Sequence, residues 1–151
     1  MKFSAFLLAV ILFASCKDSD REEITTSENN IDAARNFIRS ALDGKFNDAR
    51  RFMIRDSVNL NYIDVVERSF SNLDQATRDG YRTSSIRILE KKDINDSTAV
   101  VIYANTFKND PDTLKVMRIG GEWLVDLKFL YLHDFDTLIH KPVTDTLPVT
   151  N

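Results

Sequence analysis

The chain has 151 residues, of which 43% are hydrophobic and 28% are charged, and its formal net charge is −3; these values are typical of one globular domain. The single cysteine excludes an internal disulfide and a four-thiolate zinc site, and two late histidines argue against a histidine-ligated metal, so we expect no metal and no cofactor. The negative charge also argues against a nucleic-acid partner, which would need a basic surface.

The first fifteen residues have the pattern of a secretory signal peptide. Lys2 supplies a positive charge, the eleven residues 3–13 (FSAFLLAVILF) are apolar apart from one serine, and two small residues follow. A membrane-spanning helix needs about 20 apolar residues, so this run is too short to be one. We therefore expect residues 1–15 to be removed during export.

The cleavage region, Leu12-Phe13-Ala14-Ser15-Cys16, resembles the lipobox of bacterial lipoproteins. The resemblance implies that the thiol of Cys16 receives a diacylglycerol group and that cleavage before Cys16 leaves a lipidated N-terminal residue. Each buried lipid methylene contributes about 0.8 kcal/mol, and two or more chains anchor a protein stably where one does not. We therefore expect the protein to be a lipoprotein of the cell envelope, anchored by its lipid in the outer membrane.

Residues 16–30 are predicted to form a polar tether. Within it, six of the seven residues 17–23 (KDSDREE) are charged, which favours a solvated chain. The same run resembles the sorting signal that takes lipoproteins to the outer face in some Gram-negative bacteria. Two locations therefore stay open, the cell surface and the periplasmic face of the outer membrane.

The domain at residues 31–132 begins with three predicted helices. In residues 31–42 the apolar side chains recur at three-to-four spacing, which is typical of an amphipathic helix. A second, short helix is predicted at residues 46–53 and a third at residues 62–77.

Capping residues predict where these helices begin and end. Asn30, or Asn29 in its place, can cap the first helix, and Gly44 can end it in the left-handed conformation. Asn61 is the predicted cap of the third helix, and Gly80 is its predicted end.

In the second half of the domain the apolar period changes from 3.6 to 2. Four strands are predicted, at residues 82–92, 98–107, 113–119 and 122–131. Short loops without a crossover helix require antiparallel neighbours, and the pair at residues 120–121 is a hairpin signal. The expected fold class is therefore α+β, with three N-terminal helices covering one face of a four-stranded antiparallel meander.

The final residues, 133–151, follow the last predicted strand and contain two prolines and several threonines. They are predicted to form a C-terminal tail. The alternative is an additional edge strand at residues 135–139.

Two segments, residues 33–49 (AARNFIRSALDGKFNDA) and 120–126 (GGEWLVD), resemble the nuclear transport factor 2-like superfamily, also called SnoaL-like or cystatin-like cones. Within it, the chain is similar to lipoprotein domains of unknown function, over about residues 31–131. The resemblance implies a curved sheet wrapped around a helix, enclosing a conical pocket, and it leaves a homodimer through the sheet open. It implies no particular chemistry, because this fold hosts isomerases, dehydratases, ligand binders and inert adaptors.

Five side chains are candidates for contacting a ligand in such a pocket. A tyrosine in mid-strand with an asparagine one pleat away would provide polar contacts in an apolar pocket, and an arginine farther along the sheet could mark its mouth. These candidates are Tyr62, Tyr81, Tyr103, Asn105 and Arg118.

A sixth candidate is Asp126, in the last predicted strand. It lies on the same strand face as Lys128, so that a solvated ion pair is one interpretation and a carboxylate base is the other.

The function expected from the sequence is a non-enzymatic, lipid-anchored envelope module that binds a small apolar ligand or a protein partner. The alternative is a small-molecule isomerase or hydrolase that uses Asp126 or a tyrosine. A buried carboxylate without a cationic partner would favour the enzyme.

Overall fold

A computed structural model of the chain describes residues 26–129, which form four helices and four strands. The leader, Cys16 and the predicted tail at residues 133–151 lie outside the described residues. Within residues 26–129, no helix is both long and apolar enough to cross a bilayer.

The α+β class and the meander are confirmed. The strands are β1 (Ile86–Asn95), β2 (Thr98–Asn105), β3 (Asp112–Ile119) and β4 (Glu122–Asp126). They form one sheet in the order β1-β2-β3-β4, and every neighbouring pair is antiparallel.

The prediction of three helices is wrong, because the described residues contain four. They are α1 (Asn30–Leu42), α2 (Phe46–Ala49), α3 (Ser57–Ser71) and α4 (Gln75–Thr83). The additional helix arises because the predicted third helix is interrupted after Ser71 and resumes as α4.

Helix α1 is capped by Asn29, the alternative of the two predicted caps. The Asn29 side chain accepts a hydrogen bond from the backbone N–H of Asp32 at 3.0 Å. Asn30 is instead a buried residue of the helix, and its side chain donates to Asp93 Oδ1 on β1 at 3.2 Å. Asp43 follows the helix as its C-cap, and Gly44 has the left-handed φ of 73° that was predicted for its end.

Helix α2 ends at Ala49, four residues before the predicted end. Phe52 and Met53 are buried as expected, but their segment runs along β4 instead of continuing a helix. The N–H of Val125 donates to the carbonyl of Phe52 at 2.8 Å, and the N–H of Ile54 donates to the carbonyl of Val125 at 2.9 Å. These bonds satisfy an edge of β4 that a helical segment would leave unpaired.

Helices α3 and α4 begin at aspartates that the sequence analysis did not select. Asp56 accepts from the N–H of Asn59 at 2.9 Å, and Asp74 accepts from the N–H of Thr77 at 2.9 Å. Asn61 is therefore inside α3, and the predictions for Asn61 as a cap and Gly80 as a helix end are both wrong.

Strands β1 and β4 differ from their predicted bounds. Strand β1 begins at Ile86 and not at residue 82, because α4 extends to Thr83 and residues 84–85 connect the two elements. Its register shifts between Ile88 and Glu90 and between Asp93 and Asn95. Such irregularities bend a strand. Strand β4 ends at Asp126 rather than at residue 131.

The core lies between α1 and the sheet. Helix α1 contacts all four strands. Ala33 and Ala34 are fully buried on its sheet-facing side, where their small side chains allow a close approach. Val101 and Val116 are fully buried residues of the sheet in the same cluster.

Two constraints favour glycine at position 44, in the turn between α1 and α2. Its φ of 73° disfavours any residue with a Cβ. A Cβ there would also lie 2.7 Å from Cε1 of Phe70, well inside contact distance.

We expect Gly44→Ala to destabilise the protein more than Gly120→Ala. Both positions have positive φ, 73° and 59°, but nothing lies within 4 Å of a Cβ at Gly120. The backbone strain should cost about 1–2 kcal/mol in each variant, and the contact with Phe70 should add about 1–3 kcal/mol in Gly44→Ala alone. Urea unfolding of both variants measures the difference, and equal losses would show that Phe70 does not restrict this position.

Candidate functional site

An apolar cavity of about 390 Å³ lies between the helices and the sheet. We call it the apolar cavity. Most of its walls are hydrocarbon, and they come from the second half of α1, from α2, from α3 and from the sheet. The apolar lining residues are Phe37, Ile38, Ala41, Leu42, Phe46, Ile63, Val66, Phe70, Leu73, Leu114 and Leu127.

A row of four aromatic rings begins in the wall of the apolar cavity and ends at Phe107, which is exposed and is not among the lining residues. The rings of Phe46 and Phe70 contact each other edge to face with centroids 5.5 Å apart, and Tyr81 lies 6.4 Å from Phe70. Phe107, after β2, meets Tyr81 edge to face at 5.0 Å. Gly80 makes this possible, because a Cβ at that position would overlap the Phe107 ring.

Helix α4 has no buried residue, and hydrogen bonds from α1 hold its C-terminal end in addition to the ring contacts of Tyr81. Arg39 of α1 donates from Nη1 to the carbonyl of Ser84 at 2.7 Å and from Nη2 to the carbonyls of Tyr81 and Arg82 at 3.2 and 3.1 Å. Its Nε donates to Asp43 at 3.0 Å. One guanidinium therefore fixes the end of α4 that carries Tyr81.

Polar groups of the apolar cavity include a tyrosine–carboxylate pair. The hydroxyl of Tyr103 donates to Asp112 Oδ2 at 3.1 Å, and the N–H of Thr113 donates to Asp112 Oδ1 at 2.7 Å. Burial, helped by the charge of Asp112, raises the pKa of Tyr103 well above its usual range. The hydroxyl of Tyr103 therefore keeps its proton to a higher pH than that of a free tyrosine, and it donates that proton in the hydrogen bond to Asp112.

Asn105 shapes the loop beside this pair. Its side-chain oxygen accepts from the backbone N–H groups of Phe107 and Lys108 at 3.1 and 2.8 Å. Lys108 and Asp112 are exposed, so the cavity has charged groups only where it meets solvent.

Three of the six candidate ligand residues come together at the apolar cavity, namely Tyr81, Tyr103 and Asn105. Tyr62 packs against the core cluster and is not among the lining residues. Arg118 is exposed near the β3–β4 hairpin, where its Nε donates to the carbonyl of Gly121 at 3.3 Å. It shares the strand face of Leu114, as expected from alternation, but the cavity lies toward the other end of β3.

Asp126 is also outside the lining of the apolar cavity. It is 6% exposed, and it is the one buried carboxylate among residues 26–129. Lys128 Nζ lies 3.8 Å from its Oδ1 and Lys115 Nζ lies 3.9 Å from its Oδ2. The backbone N–H of Lys128 and the side-chain amide of Asn59 both donate to Oδ1 at 3.3 Å. These contacts connect Asp126 to two lysines and to α3, which suits a structural role.

Asn59, which the sequence analysis did not select, connects α3 to the end of β4. It is fully buried, and its Oδ1 accepts from the N–H of Leu127 at 2.6 Å while its Nδ2 donates to Asp126 and Asp56. The available sequence signal was its place three residues after the capping Asp56.

Two comparisons with known sequences and one with known structures were negative. A scan against protein-family models finds no match, and searches of curated proteins and of solved structures find none. Within residues 26–129, no group of three or more His, Cys, Asp or Glu residues is arranged to hold a metal. The resemblance to nuclear transport factor 2-like lipoprotein domains therefore stays a prediction.

We expect Asp56→Asn to lower stability at neutral pH and to matter less in acid. Hydrogen bonds from Asn59 and from Lys128, whose Nζ lies 2.7 Å from Oδ2, lower the pKa of Asp56 from 3.8 to about 2. A carboxyl whose folded-state pKa is lowered contributes stability above its unfolded pKa and loses that contribution as the pH falls through the folded pKa. Asparagine keeps the helix-capping oxygen but not the charge.

The measurement is the urea midpoint of both proteins from pH 7 to pH 2.5. The difference between the urea midpoints of the parent and of Asp56→Asn should be largest above about pH 4 and should decrease below that pH. A gap of constant size over the whole range would mean that the charge of Asp56 contributes nothing.

Proposed function

We propose that the protein is a lipid-anchored envelope protein whose α+β domain binds a small apolar ligand in the apolar cavity. The observation that carries the proposal is the cavity itself, with its volume of about 390 Å³ and its hydrocarbon walls. Sites for small molecules typically have volumes of about 300–1,000 Å³, mostly apolar walls and a few polar groups.

The walls of the apolar cavity favour an apolar ligand on energetic grounds. Transfer of apolar surface out of water is worth about 25 cal/mol per Å², so a ligand that covers Phe46, Phe70 and Leu73 gains free energy from its own surface and from theirs. Tyr103 and Asn105 would orient a polar end of that ligand toward solvent.

The finer form of the fold is part of the proposal. We infer that the domain is a remote relative of the nuclear transport factor 2-like cones, with a curved sheet around α1. Support comes from the α+β order, from the meander, from the register shifts that bend β1 and from the position of the cavity between helices and sheet.

Anchoring through Cys16 rests on the N-terminal sequence pattern. Thr26, the first described residue, follows Cys16 by ten residues, which span at most about 36 Å when fully extended. A lipid on Cys16 would thus keep the domain close to the membrane, on either the cell surface or the periplasmic face.

The enzyme alternative receives no support from Asp126, or from Tyr103 as a base. Asp126 faces two ammonium groups instead of the apolar cavity, and Tyr103 has a raised pKa that makes it a poor base. A protein partner or a second copy of the chain remains an alternative occupant of the sheet, but no contact within residues 26–129 favours either.

We expect Ala41→Phe to weaken ligand binding while Ala76→Phe leaves it unchanged. Ala41 lines the apolar cavity, whereas Ala76 is exposed on α4 and is not among the lining residues. Both changes add the same apolar ring, so their difference isolates the filling of the cavity.

The probe for this experiment is N-phenyl-1-naphthylamine, a neutral dye whose fluorescence rises in apolar surroundings. The parent should bind it saturably, and Ala41→Phe should bind it roughly tenfold or more weakly, equivalent to at least about 1.4 kcal/mol. Urea unfolding of each variant controls for folding. Equal affinities in all three folded proteins would remove the cavity as the ligand site.

We also expect Cys16→Ala to release the protein from membranes. Without the thiol no diacylglycerol can be attached, and the remaining apolar segment is too short to span a bilayer. Cell fractionation and intact mass measurement of the parent and the variant provide the test. The anchor is refuted if the parent carries no lipid mass, or if the variant sediments with membranes as the parent does.

A further inference from the structure

A second, smaller cleft of about 170 Å³ lies beside the start of the domain. It is formed by residues 26–27, by the segment after α2 and by β4, and it shares no lining residue with the apolar cavity. Two of its lining residues are arginines, Arg51 and Arg55, and we call it the two-arginine cleft.

The charge of Arg51 is not used within the described part of the fold. Its neighbour Arg50 forms ion pairs of 2.6 Å with both Asp64 and Glu67, which join α2 to α3. In residues 26–129, by contrast, no carboxylate forms an ion pair with Arg51 or with Arg55. Two exposed arginines therefore line one cleft, and neither forms an ion pair within residues 26–129.

Arg55 and Glu122 are the other two charged residues that line the two-arginine cleft. The Nε of Arg55 donates to the carbonyl of Arg50 at 3.2 Å, which positions the guanidinium group. The two terminal nitrogens of Arg55 remain available to bind a ligand. Glu122 is also a lining residue, so the cleft carries two positive charges and one negative charge. The excess charge favours an anion.

Hydroxyl groups add neutral hydrogen-bond donors to the two-arginine cleft. Thr26 and Ser27 line it, and the Oγ of Ser27 accepts from the side-chain amide of Asn36 at 3.2 Å. Because the Oγ of Ser27 accepts from Asn36, the hydroxyl proton of Ser27 points away from Asn36 and can be donated to a ligand. Guanidinium groups bind phosphate through paired hydrogen bonds, and hydroxyls complete such sites.

We propose that the two-arginine cleft binds a phosphate group. Its source is either the headgroup of an anionic membrane lipid or a soluble phosphoester. The volume of about 170 Å³ is large enough for a phosphate group, and Trp123 adds one apolar side chain to the lining. A lipid headgroup as the ligand depends on the proposed anchor, because Thr26 follows Cys16 by only ten residues and would lie near the membrane. Phosphate binding by the cleft does not depend on the anchor.

Trp123 provides a direct readout, because it is the only tryptophan of the chain and it lines the cleft. The full chain carrying Cys16→Ala, which cannot be acylated, is titrated with inorganic phosphate at constant ionic strength. It is titrated separately with vesicles of phosphatidylglycerol and of phosphatidylcholine. The ³¹P line width of inorganic phosphate is a second readout, independent of fluorescence.

Three variants locate the binding. Arg51→Gln, alone and with Arg55→Gln, removes charge from the cleft, and Arg35→Gln removes an exposed arginine of α1 that lines neither cavity. The double variant should bind roughly tenfold or more weakly, as expected when charge-assisted hydrogen bonds are lost, and Arg35→Gln should bind as the parent does.

The outcomes separate the two sources and decide the proposal. Saturation by inorganic phosphate identifies a soluble phosphoester, and saturation only by phosphatidylglycerol vesicles identifies a lipid headgroup. The proposal is overturned if neither titration saturates in either readout, or if the double variant binds as well as Arg35→Gln. Because the variants leave the apolar cavity intact, dye binding there is expected to be unchanged, so that the two proposals fail independently.

Discussion

The packing of α1 on the sheet is the constraint on which the rest of the structure depends. At its N-terminal half, Ala33 and Ala34 bring the helix close to the strands and leave no room for anything else. Toward its C-terminal half, Phe37, Ala41 and Leu42 lie along the walls of the apolar cavity instead of filling it. Helix α1 therefore packs closely on the sheet near its start and lines the apolar cavity near its end.

Two sites with different chemistry follow from this arrangement. The apolar cavity has hydrocarbon walls, and the helix that completes it, α4, is attached through Arg39 and the Gly80–Phe107 contact. The two-arginine cleft lies beside the first described residues, Thr26 and Ser27. The proposed function uses the apolar cavity alone, and the phosphate proposed for the cleft is a separate inference.

The sequence predicted the local features well and the site in part. The meander, the hairpin at Gly120 and the end of α1 at Gly44 follow from periodicity and from backbone conformations that glycine tolerates. Tyr81, Tyr103 and Asn105 were selected and do meet at the cavity. Alternation along a strand gives the face on which a residue lies but not its distance along the sheet from a pocket. For this reason Arg118 was selected as a candidate, although it lies at the other end of β3 from the cavity.

The sequence by itself determined the α+β class, the antiparallel order and the apolar stripe of α1, because these depend on neighbours close in the chain. Only the tertiary structure decided that α2 stops at Ala49, since the bonds of Phe52 and Ile54 to β4 compete with further helix. Likewise, the pairing of Asp126 with lysines and with Asn59 depends on elements far apart in the sequence. Contacts of this kind arise from the packing of whole elements, and no local pattern encodes them.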